Sequence, residues 1–175
     1  MLKELEGMKK GRLSILAIVK AAKLHNSVME SIQYFTAVRN NGILISLTKP
    51  TRLLQEELSE RKINTNDLIF MESVVDESNK YKNVVFIPSL EDVTGILIAL
   101  DYFFKFSSDK KYLILDSMDI LSMYNNQDSV INFVIKISQQ CSANNVDLVM
   151  MMSKKGDEKF LHKITSLFDK TIYEI

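Results

Sequence analysis

Short apolar runs recur along the chain, each bounded by polar or turn-forming residues: LSILAIV (13–19), ILISL (43–47), LIFM (68–71), VVFI (84–87), YLIL (112–115), VDLVMMM (146–152) and TIYEI (171–175). Most are continuous rather than alternating. Runs of this length suit strands covered on both faces, as in a parallel sheet. The segments between them have helical period. Ser27 and Glu30 form a possible capping box, ahead of a face made by Val28, Ile32, Phe35 and Val38. Gly42, after Asn40 and Asn41, reads as a helix stop. Thr48 reads as the N-cap of a helix with Pro50 in its first turn and Leu54 and Leu58 on one face. Ser89 can cap a helix carrying Val93, Ile96, Leu97, Leu100 and Phe104. Asn125 or Asn126 can cap the next, which carries Val130, Phe133, Val134, Ile137 and Cys141. A last helix, from near Asp157, is expected to bury Phe160, Ile164 and Leu167.

Strands alternating with helices predict a three-layer α/β fold with a mostly parallel central sheet. At 175 residues the chain has the length of one domain. We expect a single domain over 1–175, with 1–11 as an N-terminal helical extension. DESNKYKN (76–83) reads as a surface loop, and no repeat or linker divides the chain.

The 22 basic and 22 acidic side chains cancel, and the lysines are scattered rather than gathered into a stripe. That argues against DNA or RNA as a partner. The single cysteine, Cys141, allows no internal disulfide and no multi-cysteine zinc site, which fits a cytoplasmic protein. Lys9, Lys10 and Arg12 ahead of LSILAIV imitate a secretory signal, but the apolar run is too short and begins too late. No run approaches the ~20 apolar residues that cross a bilayer.

In a parallel sheet, ligands sit at the carboxyl ends of the strands, so the residues after each run carry the chemistry. KAAKLHNSVMES follows the first run. A phosphate cradle of the form G-x-x-x-x-G-K-S/T uses glycine to wrap backbone N–H groups around phosphates, yet no glycine lies between Arg12 and Asn41. Lys20, Lys23 and Ser27 are the residues there that a nonstandard phosphate site would use. Thr48-Lys49-Pro50 follows the second run, where a hydrolase would place a carboxylate base; neither Thr48 nor Lys49 supplies one. Asp116-Ser117 follows YLIL. The pair could hold Mg²⁺, but a metal on one carboxylate usually needs substrate phosphates as well. Loop capping and cross-linking is the favoured reading of both residues.

His25 and His162 show no local carboxylate or thiol partner in the sequence and read as structural. Cys141 and Met150, Met151 and Met152 read as core. A receiver domain, with Asp116 as phosphoacceptor and Lys154 as its partner, fails because no acidic pair follows the first run and Asp116 comes too late.

The segment GILISLTKPTRLLQEELSERKINTNDLIFMES (42–73) resembles the strand-helix-strand unit of the RecA-like ATPases of the KaiC branch. YLILDSMDILSMYNNQDSVINFVIKISQQCSANNVDLVMMMS (112–153) resembles the same family's Walker B strand with its Asp-Ser ending, the following helix and the next strand. The resemblance implies a RecA-like P-loop NTPase fold. It also exposes departures: KAAKLHNSVMES stands at the Walker A position, and Thr48-Lys49 stands where that family carries catalytic glutamates. The chain is most similar to degenerate KaiC-like proteins of archaeal type that lack the P-loop. The resemblance therefore implies a noncatalytic domain acting through a protein partner or as a homo-oligomer, with no cofactor. The alternative is a nucleotide-binding or slow NTPase domain using Lys20, Lys23, Ser27, Lys49, Asp116 and Ser117 for ATP and Mg²⁺.

Overall fold

The computed structural model describes residues 1–6, 12–39, 41–73, 83–105, 111–153 and 158–174. Every apolar run forms a strand: β1 (Ser14–Val19), β2 (Asn41–Ser46), β3 (Leu68–Glu72), β4 (Val84–Phe86), β5 (Lys111–Leu115), β6 (Val146–Ser153) and β7 (Lys170–Glu174). They pair in one 7-stranded sheet of order β4-β3-β2-β5-β6-β1-β7. All neighbours are parallel. β1, β5 and most of β6 are buried throughout, which is why their sequences do not alternate.

The helices are α1 (Leu2–Glu6), α2 (Ala21–Val38), α3 (Thr51–Glu60), α4 (Val93–Lys105), α5 (Met118–Tyr124), α6 (Gln127–Ala143) and α7 (Glu158–Thr165). They form two outer layers. Leu5 of α1, Val28, Met29, Ile32 and Phe35 of α2, and Leu54 and Leu58 of α3 pack on Ile15, Ala17, Leu44, Ile114, Val149 and Met151. On the opposite face, α4 to α7 pack on the alternate residues Leu16, Ile18, Ile45, Leu113, Leu148, Met150 and Met152. The three methionines therefore serve both cores from one central strand. Cys141 lies in the second core as expected. α1 covers part of α2, so the described part of the N-terminal extension belongs to the domain core.

Several local expectations are corrected. α2 begins at Ala21, directly after Lys20, which is its N-cap and supplies no side-chain bond. Ser27 is thus inside the helix rather than at its cap. Gly42 is not a helix stop but a strand residue: the Tyr112 ring crosses β2 there, and a β-carbon at 42 would overlap it. Tyr112 in turn stacks on Phe35, with ring centroids 5.2 Å apart. Pro50, not Thr48, is the N-cap of α3. Asp92, rather than Ser89, serves the start of α4, accepting from the Gly95 N–H at 2.9 Å. Asn126 caps α6. Leu167 follows α7 in a turn and is only partly buried. Residues 76–82 of the expected loop, Lys154 and Asp157 lie outside the described residues.

Candidate functional site

The direction of the crossovers locates the possible sites. β1 and β2 lead into helices of the first layer, α2 and α3, whereas β5 and β6 are followed by α5 and α7 of the second. Neighbouring strands therefore diverge at two places, β2/β5 and β1/β6. Such divergence points open crevices outside the carboxyl ends of the strands.

Asp116 closes the β2/β5 crevice. Its Oδ1 accepts from the Leu47 N–H at 2.9 Å, and its Oδ2 accepts from the Thr48 N–H at 3.0 Å and the Thr48 hydroxyl at 2.5 Å. The Ser46 hydroxyl, 3.5 Å from Oδ2, donates mainly to the Lys49 carbonyl at 2.7 Å. Both carboxylate oxygens are thus engaged by the segment that leaves β2. Burial raises the Asp116 pKa above the ordinary carboxylate range, and the donors from Thr48, Leu47 and Ser46 offset only part of that rise. Ser117 is the N-cap of α5, its Oγ accepting from the Ile120 N–H at 3.4 Å. Capping and cross-linking is what the geometry of Asp116 and Ser117 displays.

The same segment starts α3. Pro50 has no side-chain oxygen to cap the helix, so the orphan N–H of Thr51 is met by the buried Glu72 at the end of β3, at 2.7 Å. A carboxylate at a helix N-terminus also suits the helix dipole. Glu72 was not singled out in the sequence, although it ends an apolar run just as Asp116 does.

At β1/β6 a single residue, Lys20, separates the last residue of β1 from the first of α2. Lys20 and Lys23 are exposed. Ser27, a turn and a half into α2, is buried and donates to the Glu174 carboxylate of β7 at 2.5 Å. The end of β6 is held by Asp119, which accepts from the Ser153 N–H at 2.6 Å and from its hydroxyl at 3.0 Å. Asp119 also escaped the sequence reading, three residues beyond Asp116.

Lys49 is drawn toward α2 rather than toward Asp116. Its Nζ lies 3.2 Å from His25 Nε2 and 3.8 Å from Glu57 Oε2. His25 is not without a carboxylate, as its sequence neighbourhood suggests: Nε2 sits 2.6 Å from Glu57 Oε2. Arg61 pairs with the other Glu57 oxygen at 2.8 Å. Burial works against the charged form of Glu57, but the hydrogen bonds from His25 and Arg61 win and hold its pKa below the ordinary value. His162 stands exposed on α7.

The six candidate residues therefore do not converge. Asp116, Ser117 and the Lys49 backbone belong to the β2/β5 closure, the Lys49 ammonium to the His25–Glu57 group, and Ser27 to a contact with β7. Among the described residues, no three His, Cys, Asp or Glu side chains are grouped to hold a metal ion. No described helix is long and apolar enough to cross a membrane.

Comparison with protein-family models and with curated proteins finds no match. Among solved structures, the chain is similar to a KaiC-like protein, PH0186, of the hyperthermophilic archaeon Pyrococcus horikoshii. That similarity has a TM-score of 0.70 and 12% identity over 96% of this chain and 73% of the other. A second protein of that organism, PH0250, aligns over 99% of this chain and 87% of its own length, with a TM-score of 0.64 and 9% identity. Identities this low speak to the fold alone. The chain has the three-layer, all-parallel RecA-like α/β fold of KaiC-like proteins.

Proposed function

We propose that this is a noncatalytic RecA/KaiC-like domain of archaeal type that acts as a protein-interaction or regulatory module. The observation that carries the reading is the one-residue passage from β1 to α2. A phosphate cradle needs several residues between strand and helix so that successive N–H groups can turn toward the anion. Lys20 alone leaves no such stretch.

The strand ends also do not fit a magnesium nucleotide. Both oxygens of Asp116 are taken by Leu47 and Thr48, Ser27 is committed to Glu174, and Lys49 reaches His25. No carboxylate base replaces Thr48 and Lys49 after β2.

A second reading, nucleotide binding or slow hydrolysis at an improvised site of Lys20, Lys23, Ser27, Lys49, Asp116 and Ser117, draws on one feature. The N-terminus of α2 has no side-chain cap and no acidic residue in its first turn, while Lys20 and Lys23 stand beside it. A thermal-shift titration with ATP and Mg²⁺ separates the two. A ligand at 100 times its Kd adds about 2.7 kcal/mol, or roughly 5–10 °C for a domain of this size. The noncatalytic reading expects no shift. A shift of that size that is lost in Lys20→Ala/Lys23→Ala replaces it with the second.

A further inference from the structure

The amino-terminal ends of β2, β3 and β5 border a polar cavity of about 170 Å³, at the opposite end of the sheet from the two crevices. Tyr112 forms its floor. In the sheet Tyr112, Gly42 and Leu68 lie side by side in register, on β5, β2 and β3. Because Gly42 has no side chain, the Tyr112 ring passes over it and carries its hydroxyl toward β3. Tyr112 is 1% exposed, yet its hydroxyl meets no hydrogen-bonding partner among the described residues. Buried polar groups are nearly always paired, so a buried hydroxyl that faces a cavity without a partner marks where an entering group can bond.

The walls add acceptors on one side and donors on the other. Asp67, at the mouth beside Asn64, is pinned by its carbonyl, which accepts from the Gly42 N–H at 2.9 Å. Its carboxylate pairs with no cation and takes no hydrogen bond among the described residues. Burial first, and the nearby Asp67 charge second, raise the Tyr112 pKa, so the hydroxyl stays protonated. The Thr36 hydroxyl spends its proton on the Ile32 carbonyl at 2.8 Å and keeps lone pairs to accept with. Arg39 closes the other side. Asp147 takes its Nε and Nη2 at 2.6 Å and the Val38 carbonyl its Nη1 at 3.2 Å, which leaves an N–H uncommitted on each terminal nitrogen.

We infer that this cavity binds a free amino acid, its ammonium held by the Asp67 carboxylate and the Tyr112 and Thr36 hydroxyls, its carboxylate by the free N–H groups of Arg39. Charge and size select this class. Among the lining residues Asp67 is the charge left unbalanced, since Asp147 neutralises Arg39, and an ammonium offers it a positive charge with three donors. A cavity of about 150 Å³ holds benzene, so this one suits a molecule of that order and excludes a nucleotide. The inference goes beyond the noncatalytic reading, which concerns the carboxyl ends of the strands.

The test is a thermal-shift titration of the full chain with the proteinogenic amino acids one at a time, and with propionate, which has the carboxylate but no amine. At least one amino acid is expected to raise the Tm of wild type in a saturable way, and propionate is not. Tyr112→Phe keeps the ring over Gly42 and removes a hydroxyl that has no partner in the chain. It should therefore be at least as stable as wild type, yet bind about 10-fold more weakly, the loss of one hydrogen bond. Asp67→Asn, at an exposed position, should weaken binding by about 10–100-fold. Circular dichroism confirms folding of both variants. A wild type that responds to none of the amino acids overturns the inference, as does a shift that propionate reproduces or one that persists undiminished in either variant. So does a Tyr112→Phe chain destabilised in the absence of amino acid, for the hydroxyl would then be bonded within the fold. None of these results bears on the ATP titration, which reads the opposite end of the sheet.

Discussion

Replacing Asp116 by Ala removes the carboxylate that joins the end of β5 to the segment leaving β2. Three donors lose their acceptor: the Leu47 N–H, the Thr48 N–H and the Thr48 hydroxyl. The hydroxyl can rotate, and exposed Thr48 can recruit water for its N–H, so their share is small. The Leu47 N–H is buried and cannot. An unsatisfied buried donor costs about 1–3 kcal/mol, and the remaining bonds add about 1 kcal/mol. Release of a buried charge gives some of this back, for burial already disfavours the ionised carboxyl. A net loss of about 2–3 kcal/mol is expected near neutral pH, or roughly 4–12 °C in Tm. Asp116→Asn, which keeps one acceptor, should fall between the two.

The pH dependence carries its own sign. The raised pKa means that the folded protein holds this proton more tightly than the unfolded chain. The resulting stabilisation is fully present below the unfolded pKa and is lost as pH rises through the raised folded value. The Ala variant lacks that slope, so its deficit should narrow as pH rises. Urea unfolding of wild type and both variants across acid to neutral pH measures the deficit and its trend. An Ala variant as stable as wild type, or more stable, refutes the reasoning: the carboxylate would then be retained at a cost in stability, as functional groups often are.

Other outcomes follow from the same contacts. Glu57→Gln should lose stability relative to wild type at neutral pH, and the difference should vanish as pH falls through the depressed Glu57 pKa; a pH-independent difference in urea midpoints would contradict the His25 and Arg61 account. Asp147→Ala strips the buried acceptor from Arg39 Nε and Nη2, both at 2.6 Å, and from the Leu13 N–H at 2.8 Å, so a loss of about 3–5 kcal/mol is expected in chemical denaturation. Gly42→Ala should cost about 1–3 kcal/mol by forcing the Tyr112 ring aside, and much less in a Tyr112→Leu background, which a double-mutant cycle reads directly. Burial pushes the Cys141 thiol up to about 12, so alkylation by iodoacetamide should proceed only at the rate of unfolding.

The central strands were legible because burial on both faces leaves a plain mark, an unbroken apolar run; the edge strand β4 also has such a run although its residues are only partly buried or exposed. The faces of α4, α6 and α7 were legible for a related reason, their buried residues recurring at helical period. Helix starts were legible only at α6, where the Asn126 side chain is the cap; those of α2, α3 and α4 were not. Ser27 and Glu30 imitate a cap, whereas the true start at Lys20 has no capping side chain, so no residue announces it. Pro50 gave the place of α3, but its cap comes from Glu72, 21 positions after the Thr51 N–H it accepts from. The partners of Asp116 and His25 lie 68 and 32 positions away along the chain in Thr48 and Glu57, beyond the reach of any local pattern. Gly42 was read by its commonest role because nothing near it in sequence shows that an aromatic ring passes over it.

The passage from Val19 through Lys20 into Ala21 also bears on how such a domain can change. A side chain can be gained by one codon change. A loop cannot. With the strand and the helix joined by one residue, no set of substitutions within 19–31 produces a turn wide enough to wrap a phosphate; residues would have to be inserted. They would lift Ser27 away from Glu174 and shift the face of α2 that Phe35 and Tyr112 lock in place. Gaining a nucleotide site here would thus run through less stable intermediates, so relatives sharing this short junction should hold Ser27, Phe35 and Gly42 fixed.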